Sequence, residues 1–489
     1  MLNLYTHPFD VAGADGFHEE CGVFGIYGHA EAAALTALGL HALQHRGQEA
    51  AGIISYDGRQ FHVERHIGLV GDNFTKPSVI GRLAGDNAIG HNRYSTTGAP
   101  VLRNVQPMFA EFVGGGFAVA HNGNITNART LQRDLQKRGS IFQSTSDTET
   151  IIHLIATSRR VPLVERLIEA LLQIEGAYSL VALSEKKMIG CRDPLGVRPL
   201  LLGDLDGAHV LASETCALDI IGARLVREVE PGEMVVVTEH GIDSIKPFPQ
   251  MKPRFCIFEH VYFARPDSVI AGSSIYESRK RIGRELAREA PADADLIVPV
   301  PDSGNPAAIG FAEESGIPFE LGIIRNHYVG RTFIEPSDSI RHMGVKLKHN
   351  ANSAILKGKR VVLVDDSIVR GTTSLKIVEM VRDAGASEVH MRIASPPTTN
   401  PCFYGVDTPE KAKLLASRMT IAEMTDFIRV DSLAFLSIDG LYRAVGEEGR
   451  DALAPQYCDA CFTGEYPTAL TDQEQKGGVR QLSLLVEAG

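Results

Sequence analysis

Val361-Val-Leu-Val-Asp-Asp-Ser-Ile-Val-Arg-Gly-Thr-Thr-Ser374 decides the fold of the second half of the chain. Its opening run of apolar, mostly β-branched residues has no polar alternation, which predicts a strand covered on both faces, as in a parallel sheet. The strand ends on adjacent carboxylates, Asp365 and Asp366. Side chains alternate across a strand, so the two cannot both face the core. They belong where open α/β sheets bind ligands, outside the carboxyl ends of the strands. The small-residue turn Arg370-Gly-Thr-Thr-Ser374 then leads into a helical pattern over residues 375–381. Backbone amides and hydroxyls at a helix N-terminus cradle anions. Carboxylates for sugar hydroxyls beside a phosphate cradle describe a site for a phosphorylated ribose.

The stretch resembles the phosphoribosyl pyrophosphate (PRPP) motif of type I phosphoribosyltransferases. That resemblance implies that Asp365 and Asp366 hold the ribose hydroxyls and one Mg²⁺ per subunit. It places Ser367, Arg370, Gly371, Thr372, Thr373 and Ser374 on the 5-phosphate. Upstream, Val298-Pro-Val-Pro-Asp-Ser-Gly304 ends another buried strand in a tight turn. The resemblance makes this turn the pyrophosphate loop, with Ser303 near the Mg²⁺. The charged run from Arg325 through Arg331, Arg341, Lys346 and Lys348 reads by itself as a solvated surface. Beside such a substrate it resembles a lid over PRPP, with Arg331 on the ligand; a lid would keep water from the reacting centre. A helix over residues 275–290 leads into a strand over 296–300, and helices and strands alternate onward. That βαβ rhythm predicts a doubly wound parallel sheet.

The chain has 489 residues, enough for two or three domains. Hydrophobic residues at 44% and charged residues at 22% describe an ordinary globular protein. A net charge of −11 argues against a general nucleic-acid binder while leaving room for a locally basic pocket. Residues 1–20 carry no Lys or Arg and no apolar run, unlike a signal or transit peptide, and no stretch suits a membrane span. Seven cysteines favour reduced, functional or metal-bound thiols over a disulfide framework, and a cytoplasmic protein.

The first half begins its pattern at Cys21-Gly-Val-Phe-Gly-Ile-Tyr-Gly28, a glycine-punctuated strand, and residues 30–44 read as a helix. Strands are expected over residues 51–56, 88–95, 116–120, 179–183 and 234–238, with helix through most of 147–175. Such an order suggests stacked sheets covered by helices. The Pro-rich segment at 246–253 reads as a linker. Cys21 is a second chemical centre. A thiol is a weak nucleophile at neutral pH unless a base helps it, and an α-amino group, with a pKa of about 7.7–8.0, is a suitable base. Removal of residues 1–20 would put both on one residue.

Cys21-Gly-Val-Phe-Gly, His45-Arg-Gly-Gln48, His91-Asn-Arg-Tyr-Ser-Thr-Thr-Gly98, His121-Asn-Gly-Asn124 and Ser146-Asp-Thr-Glu149 follow in that order. Together they resemble the N-terminal-nucleophile (class II) glutamine amidotransferase domain over roughly residues 21–240, an αββα fold. The resemblance implies Cys21 as nucleophile, Asn122 and the Gly123 N–H as oxyanion donors, Arg93 on the glutamine α-carboxylate and Asp147 on its α-ammonium. Asp147 also reads as a helix N-cap. Residues 1–20 then become a propeptide.

Cys458-Asp-Ala-Cys461 reads equally as a zinc, redox or inert pair. With Cys256 and Cys402, the pair resembles the ligands of the [4Fe–4S] cluster in the iron–sulfur, propeptide-bearing branch of the amidophosphoribosyltransferase family. Structural Zn²⁺ is the chemical alternative. Cys191 and Cys216 read as core residues.

A class II glutaminase (21–245) followed by a phosphoribosyltransferase (254–440) and a ligand-bearing tail (441–489) resembles that family over roughly residues 21–465. Such membership implies a pentosyltransferase that converts glutamine, PRPP and water to 5-phosphoribosylamine, glutamate and pyrophosphate in purine synthesis. Ammonia would pass internally between the two reactions. It further implies a homo-oligomer, tetramer or dimer, inhibited by purine nucleotides, with no nucleic-acid or membrane partner. A glucosamine-6-phosphate synthase would share the first half and lack the PRPP stretch. A PRPP-sensing transcription regulator would share the second half, with a basic face and no glutaminase.

Overall fold

The computed structural model describes residues 21–94, 101–326 and 349–474. Two compact units divide the chain. The boundary falls between Phe255 and Cys256, just beyond the Pro-rich segment.

The glutaminase unit is built on two antiparallel sheets. One runs in the order Arg224–Glu228, Leu201–Leu205, Ala208–Ala212, Gly22–Tyr27, Asn87–Arg93, Ala50–Tyr56, Phe61–Ile67. The other runs Gly241–Ile245, Met234–Thr238, Met188–Arg192, Gly176–Ser184, Gly115–Ile125, Met108–Phe112. Strand Gly22–Tyr27 shows why its sequence is apolar throughout. Val23 enters a core with Ile54, Ile89, Ala118, Val181, Leu211 and Val235, drawn from the facing surfaces of both sheets. Its neighbours Phe24 and Ile26 point the other way, into a cluster with Ala33, Ala37 and Leu40 of helix Ala32–Ala42. On the second sheet, helices Thr148–Thr157 and Leu163–Leu171 pack Ile151, Ile155, Leu167 and Leu171 against Val119, Leu180 and Val236. The layers are therefore helix, sheet, sheet, helix.

Strand Gly115–Ile125 is longer than residues 116–120. It stays paired with Gly176–Ser184 through the polar stretch, Asn122 opposite Ser179 and Gly123 opposite Tyr178. Sheet pairing overrides the weak strand propensity of Asn and Gly there.

The phosphoribosyl unit has a parallel sheet in the order Leu296–Pro299, Arg360–Asp365, Glu388–Ile393, Ser432–Phe435. A parallel bridge from Ile297 to Phe319 extends the first edge. The strand order thus reverses between Leu296–Pro299 and Arg360–Asp365, the switch point at which doubly wound sheets bind ligands. Val361 and Leu363 join Ile377, Val378 and Met391 in one core cluster, while Val362 and Val364, equally buried, point to the opposite face. Helix Asn305–Ser315 packs on strands Leu296–Pro299 and Arg360–Asp365 and, closely, on helix Ile275–Glu289. A Cβ on Gly283 would stand 1.9 Å from the Ala307 carbonyl oxygen, and one on Gly310 1.9 Å from that of Lys280. No helix among the described residues is long and apolar enough to cross a membrane.

The stretch 441–489 is not one tail. Residues up to Glu465 pack in the phosphoribosyl unit, where Leu441 and Tyr442 are fully buried. Described residues beyond it pack in the glutaminase unit, as does the short excursion Phe403–Val406. The apolar residues there keep no sustained helix or strand period, so the pattern could not reveal either attachment.

Candidate active site

Cys21 stands immediately before strand Gly22–Tyr27, whose Gly22 pairs with Asn92 next to Arg93. Its thiol donates to the Tyr94 carbonyl at 3.6 Å. Burial pushes that thiol up to about 11; the Tyr94 contact and Arg93 oppose the rise, and Asp147 and Glu49 add to it. Cys21, Arg93 and Asp147, far apart in sequence, therefore share one electrostatic environment. Arg93 and Asp147 are both buried. Asp147 precedes helix Thr148–Thr157 but does not cap it. Its Oδ2 accepts instead from the Ile125 N–H at 3.0 Å and lies 3.8 Å from His121 Nδ1. The neighbouring Glu149 organises the turn by accepting from Gln143 N–H, Ser144 N–H and Ser144 Oγ. Burial raises its carboxyl, but His153 and these donors outweigh burial and hold it at about 2.

Asn122 is fully buried, and neither Nδ2 nor Oδ1 has a hydrogen-bond partner among the described residues. An unsatisfied buried amide costs about 1–3 kcal/mol, so a side chain kept this way is built for a ligand. Gly123 has φ +143°, and a Cβ there would stand 2.0 Å from the Ala177 carbonyl oxygen. Only glycine fits. One residue before Asn122, the His121 carbonyl accepts from His91 Nε2 at 3.0 Å. Burial holds His91 down to about 3, so it is neutral near pH 7.

The His45-Arg-Gly-Gln48 turn is held by a residue that no local motif marks. Glu214, fully buried, accepts from His45 Nε2 at 2.7 Å and pairs with buried Arg46. Glu49, whose charge acts on the Cys21 thiol, is marked by no motif either. Ser95 to Gly98 and residues 1–20 lie outside the described residues.

In the phosphoribosyl unit, Asp365 ends its strand and Asp366 turns the chain, its N–H donating to Asp365 Oδ1 at 2.9 Å. Ser367 Oγ donates to Asp366 Oδ1 at 2.5 Å, and Ser303 hydrogen-bonds the same carboxylate. The two loops flanking the switch point thus meet at Asp366. Burial raises the Asp366 carboxyl; the two serines and Arg279 oppose the rise without cancelling it. Gly304 permits the approach, since a Cβ there would lie 2.5 Å from the Val364 carbonyl oxygen. Arg325 pairs with Asp302 in the same loop. Helix Thr372–Asp383 begins directly after Gly371, which puts Thr372, Thr373 and buried Ser374 at its N-terminus. Asp365, Asp366 and Ser303 present oxygen atoms of the kind Mg²⁺ takes as ligands. Arg331, Arg341, Lys346 and Lys348 lie outside the described residues.

Two backbone segments of this unit converge on the Cys458-Asp-Ala-Cys461 turn. Ile257 N–H donates to the Cys458 carbonyl, and Thr399 and Asn400 N–H both donate to that of Cys461. The Cys461 thiol is pushed well up, by burial first and then by Cys256, Cys402, Cys458 and Asp459. Asp459 is itself held by Tyr442 Oη at 2.8 Å and Arg450 Nε at 2.5 Å. Four thiols from distant positions are therefore neighbours. Among the described residues no three His, Cys, Asp or Glu side chains are arranged to hold a single metal ion. Cys191 and Cys216 are buried in the glutaminase unit, in the cores of its opposite helix–sheet layers.

A glutamine amidotransferase domain family matches residues 91–219, and a phosphoribosyl transferase domain family matches residues 272–394. The amidophosphoribosyltransferase of Rhizobium etli is 59% identical, the match covering 99% of this chain and 99% of that one. The amidophosphoribosyltransferase of Bacillus subtilis is 48% identical over 93% of this chain and 95% of its own. A solved structure of glutamine PRPP amidotransferase from B. subtilis, complexed with ADP and GMP, superposes with a TM-score of 0.87 at 47% identity, covering 92% of this chain and 98% of that one. A glutaminase domain followed by a phosphoribosyltransferase domain, with nearly full-length identity to such enzymes, leaves one conclusion: the chain belongs to the amidophosphoribosyltransferase family.

Proposed function

We propose that the chain carries the amide nitrogen of glutamine to C1 of PRPP, giving 5-phosphoribosylamine, glutamate and pyrophosphate. The observation that carries the glutaminase half is the partnerless, fully buried Asn122 amide, on the strand whose Ile125 N–H holds the same Asp147 that acts on the Cys21 thiol. Arg93 and Asp147 bind the two charged groups of glutamine, a guanidinium fork suiting the carboxylate. Cys21 Sγ attacks the side-chain carbonyl carbon, and the oxygen that gains charge accepts from Asn122 Nδ2 and the Gly123 N–H. Collapse expels ammonia and leaves a glutamyl thioester, which water hydrolyses to glutamate. Ammonia then displaces pyrophosphate at C1.

Residues 1–20 are a propeptide in this reading. With burial pushing the thiol up to about 11, Cys21 is protonated at pH 7. A free α-amino group on Cys21 supplies the missing base.

In the other half, Asp365 and Asp366 hold the ribose hydroxyls, and Ser367, Arg370, Gly371, Thr372, Thr373 and Ser374 hold the 5-phosphate at the helix N-terminus. Mg²⁺ held by Ser303, Asp365 and Asp366 would carry charge on the leaving pyrophosphate.

The four thiols act on one another's charge, as ligands of one centre would. Four thiolates satisfy a [4Fe–4S] cluster, the reading the family resemblance favours, with structural Zn²⁺ as the chemical alternative. Thiols rather than disulfides at all seven cysteines suit a reducing compartment such as the cytoplasm. Purine nucleotides are the proposed feedback inhibitors, in line with the ADP and GMP of the B. subtilis complex, and a homo-oligomer is the proposed assembly.

Purified protein given glutamine, PRPP and Mg²⁺ should form glutamate and pyrophosphate in equal amounts; failure to consume either substrate overturns the assignment. Anaerobic purification with iron, sulfide and zinc analysis tests the cluster, and zinc without iron refutes it. Intact mass of active enzyme that retains Met1 to Glu20 refutes the propeptide.

A further inference from the structure

Beyond Asn122 and Gly123, we infer that Phe403–Val406 is a positioning strap for the oxyanion donors, with Gly405 as its critical residue. The inference rests on the assignment of those donors made above. These four residues leave the phosphoribosyl unit and pack within the glutaminase unit. There they meet the end of strand Gly115–Ile125 that carries the assigned oxyanion donors. Gly405 has φ +110°, and a Cβ on it would lie 2.9 Å from Gly123 Cα, 3.1 Å from its carbonyl carbon and 3.2 Å from its oxygen. Gly123 is already closed off by the Ala177 carbonyl, 2.0 Å from its own hypothetical Cβ. Its backbone is therefore gripped between a strand neighbour and the strap. On the next residue, Asn124 Nδ2 donates to the Phe403 carbonyl at 2.9 Å.

The strap is itself anchored. Arg198, fully buried, donates from Nε to the Tyr404 carbonyl at 2.8 Å. Tyr404 is buried, and its hydroxyl oxygen accepts from Thr468 N–H at 3.2 Å and Thr468 Oγ1 at 3.1 Å. Phe403 and Tyr404 both lie against the Tyr466 ring. A backbone fixed this firmly cannot yield to a methyl group at position 405; Gly123 must move instead. An N–H donor serves a developing oxyanion only when it points at the place where charge appears.

The test uses the full-length, processed enzyme. Gly405→Ala should lower kcat for glutamine hydrolysis by about 10–100-fold, the scale expected of a misplaced catalytic group, with glutamine KM nearly unchanged. Synthesis from free ammonia, which bypasses the glutaminase, should remain. Combined with Asn122→Ala, the loss should be smaller than the product of the two single losses, since both act on one oxyanion. A wild-type kcat in Gly405→Ala, alongside a large loss in Asn122→Ala, overturns the strap alone. Full activity in Asn122→Ala instead overturns the oxyanion assignment. Equal loss of ammonia-dependent synthesis makes the strap merely structural and also overturns the inference. If Gly405→Ala does not fold, Asn124→Ala removes only a tie to the strap and decides the matter by the same readouts.

Discussion

Asn122→Ala separates what the fold needs from what the reaction needs. In the resting protein the Asn122 amide is fully buried with neither polar atom partnered among the described residues. Truncation therefore sacrifices no hydrogen bond there and relieves about 1–3 kcal/mol of unsatisfied polarity. Lost packing from the shortened side chain offsets a comparable amount, so net stability should change by no more than about 1 kcal/mol. For a unit of this size that is a Tm shift of about 2–4 °C in either direction. Catalysis should respond on another scale. Loss of one oxyanion donor costs about 10²–10³ in kcat, or about 2.7–4 kcal/mol of transition-state stabilisation. Glutaminase kinetics and thermal unfolding on one preparation read both quantities. Asn122→Leu, which keeps the branched shape and removes both polar atoms, should match the kinetic defect and melt at or above wild type. A Tm loss of about 10 °C with kinetics intact would refute the reasoning, because the amide would then be serving the fold.

Asp366→Asn should abolish PRPP-dependent synthesis while sparing glutamine hydrolysis. Because burial raises the Asp366 carboxyl, Mg²⁺–PRPP should bind more weakly as pH falls through that raised value, and binding should release protons measurable by calorimetry in buffers of different ionisation heat; pH-independent affinity in acid would count against the assignment. His91 supplies an acid-lability term. Its folded value, about 3, lies below the ordinary 6.5, so the unfolded chain binds the proton first. Stability is complete above about pH 6.5 and lost as pH falls toward 3, on the order of 4–5 kcal/mol at the limit. His91→Gln should flatten that part of the urea-denaturation profile, and an unchanged slope would refute the burial argument. Gly283→Ala puts a methyl 1.9 Å from the Ala307 carbonyl oxygen, so it should lower the melting of the phosphoribosyl unit far more than an exposed helical Gly→Ala, which is ordinarily stabilising.

Much of the site was legible because its chemistry is written locally. Asp365, Asp366 and the turn to Ser374 are contiguous, since a strand end, a loop and a helix N-terminus build one phosphate-and-ribose cradle from consecutive residues. The glutaminase motifs are short for the same reason: each is one strand end or turn. The four cysteines were harder, because a lone Cys-x-x-Cys has several meanings, and only a resemblance joined it to Cys256 and Cys402. Elements at 188–228 and strand Gly241–Ile245 escaped where short paired strands follow one another with little room for alternation.

What the sequence by itself determined is the pair of fold classes, which follow from local period and from short contiguous motifs; the candidate reacting groups came from the resemblance of those motifs to known families. Tertiary structure alone decided which distant residues hold those groups still. Glu214 reaches Arg46 across 168 positions. Asp472 accepts from Arg129 and Thr130 N–H at 2.7 and 3.0 Å, capping a helix more than three hundred residues away. Gly405 presses on Gly123 from a segment that the chain order assigns to the other half. Such partners have no sequence period because the chain is free to supply a carboxylate or a bare backbone from any loop that passes by. Burial and hydrogen-bond demand choose among them only once the sheets have formed.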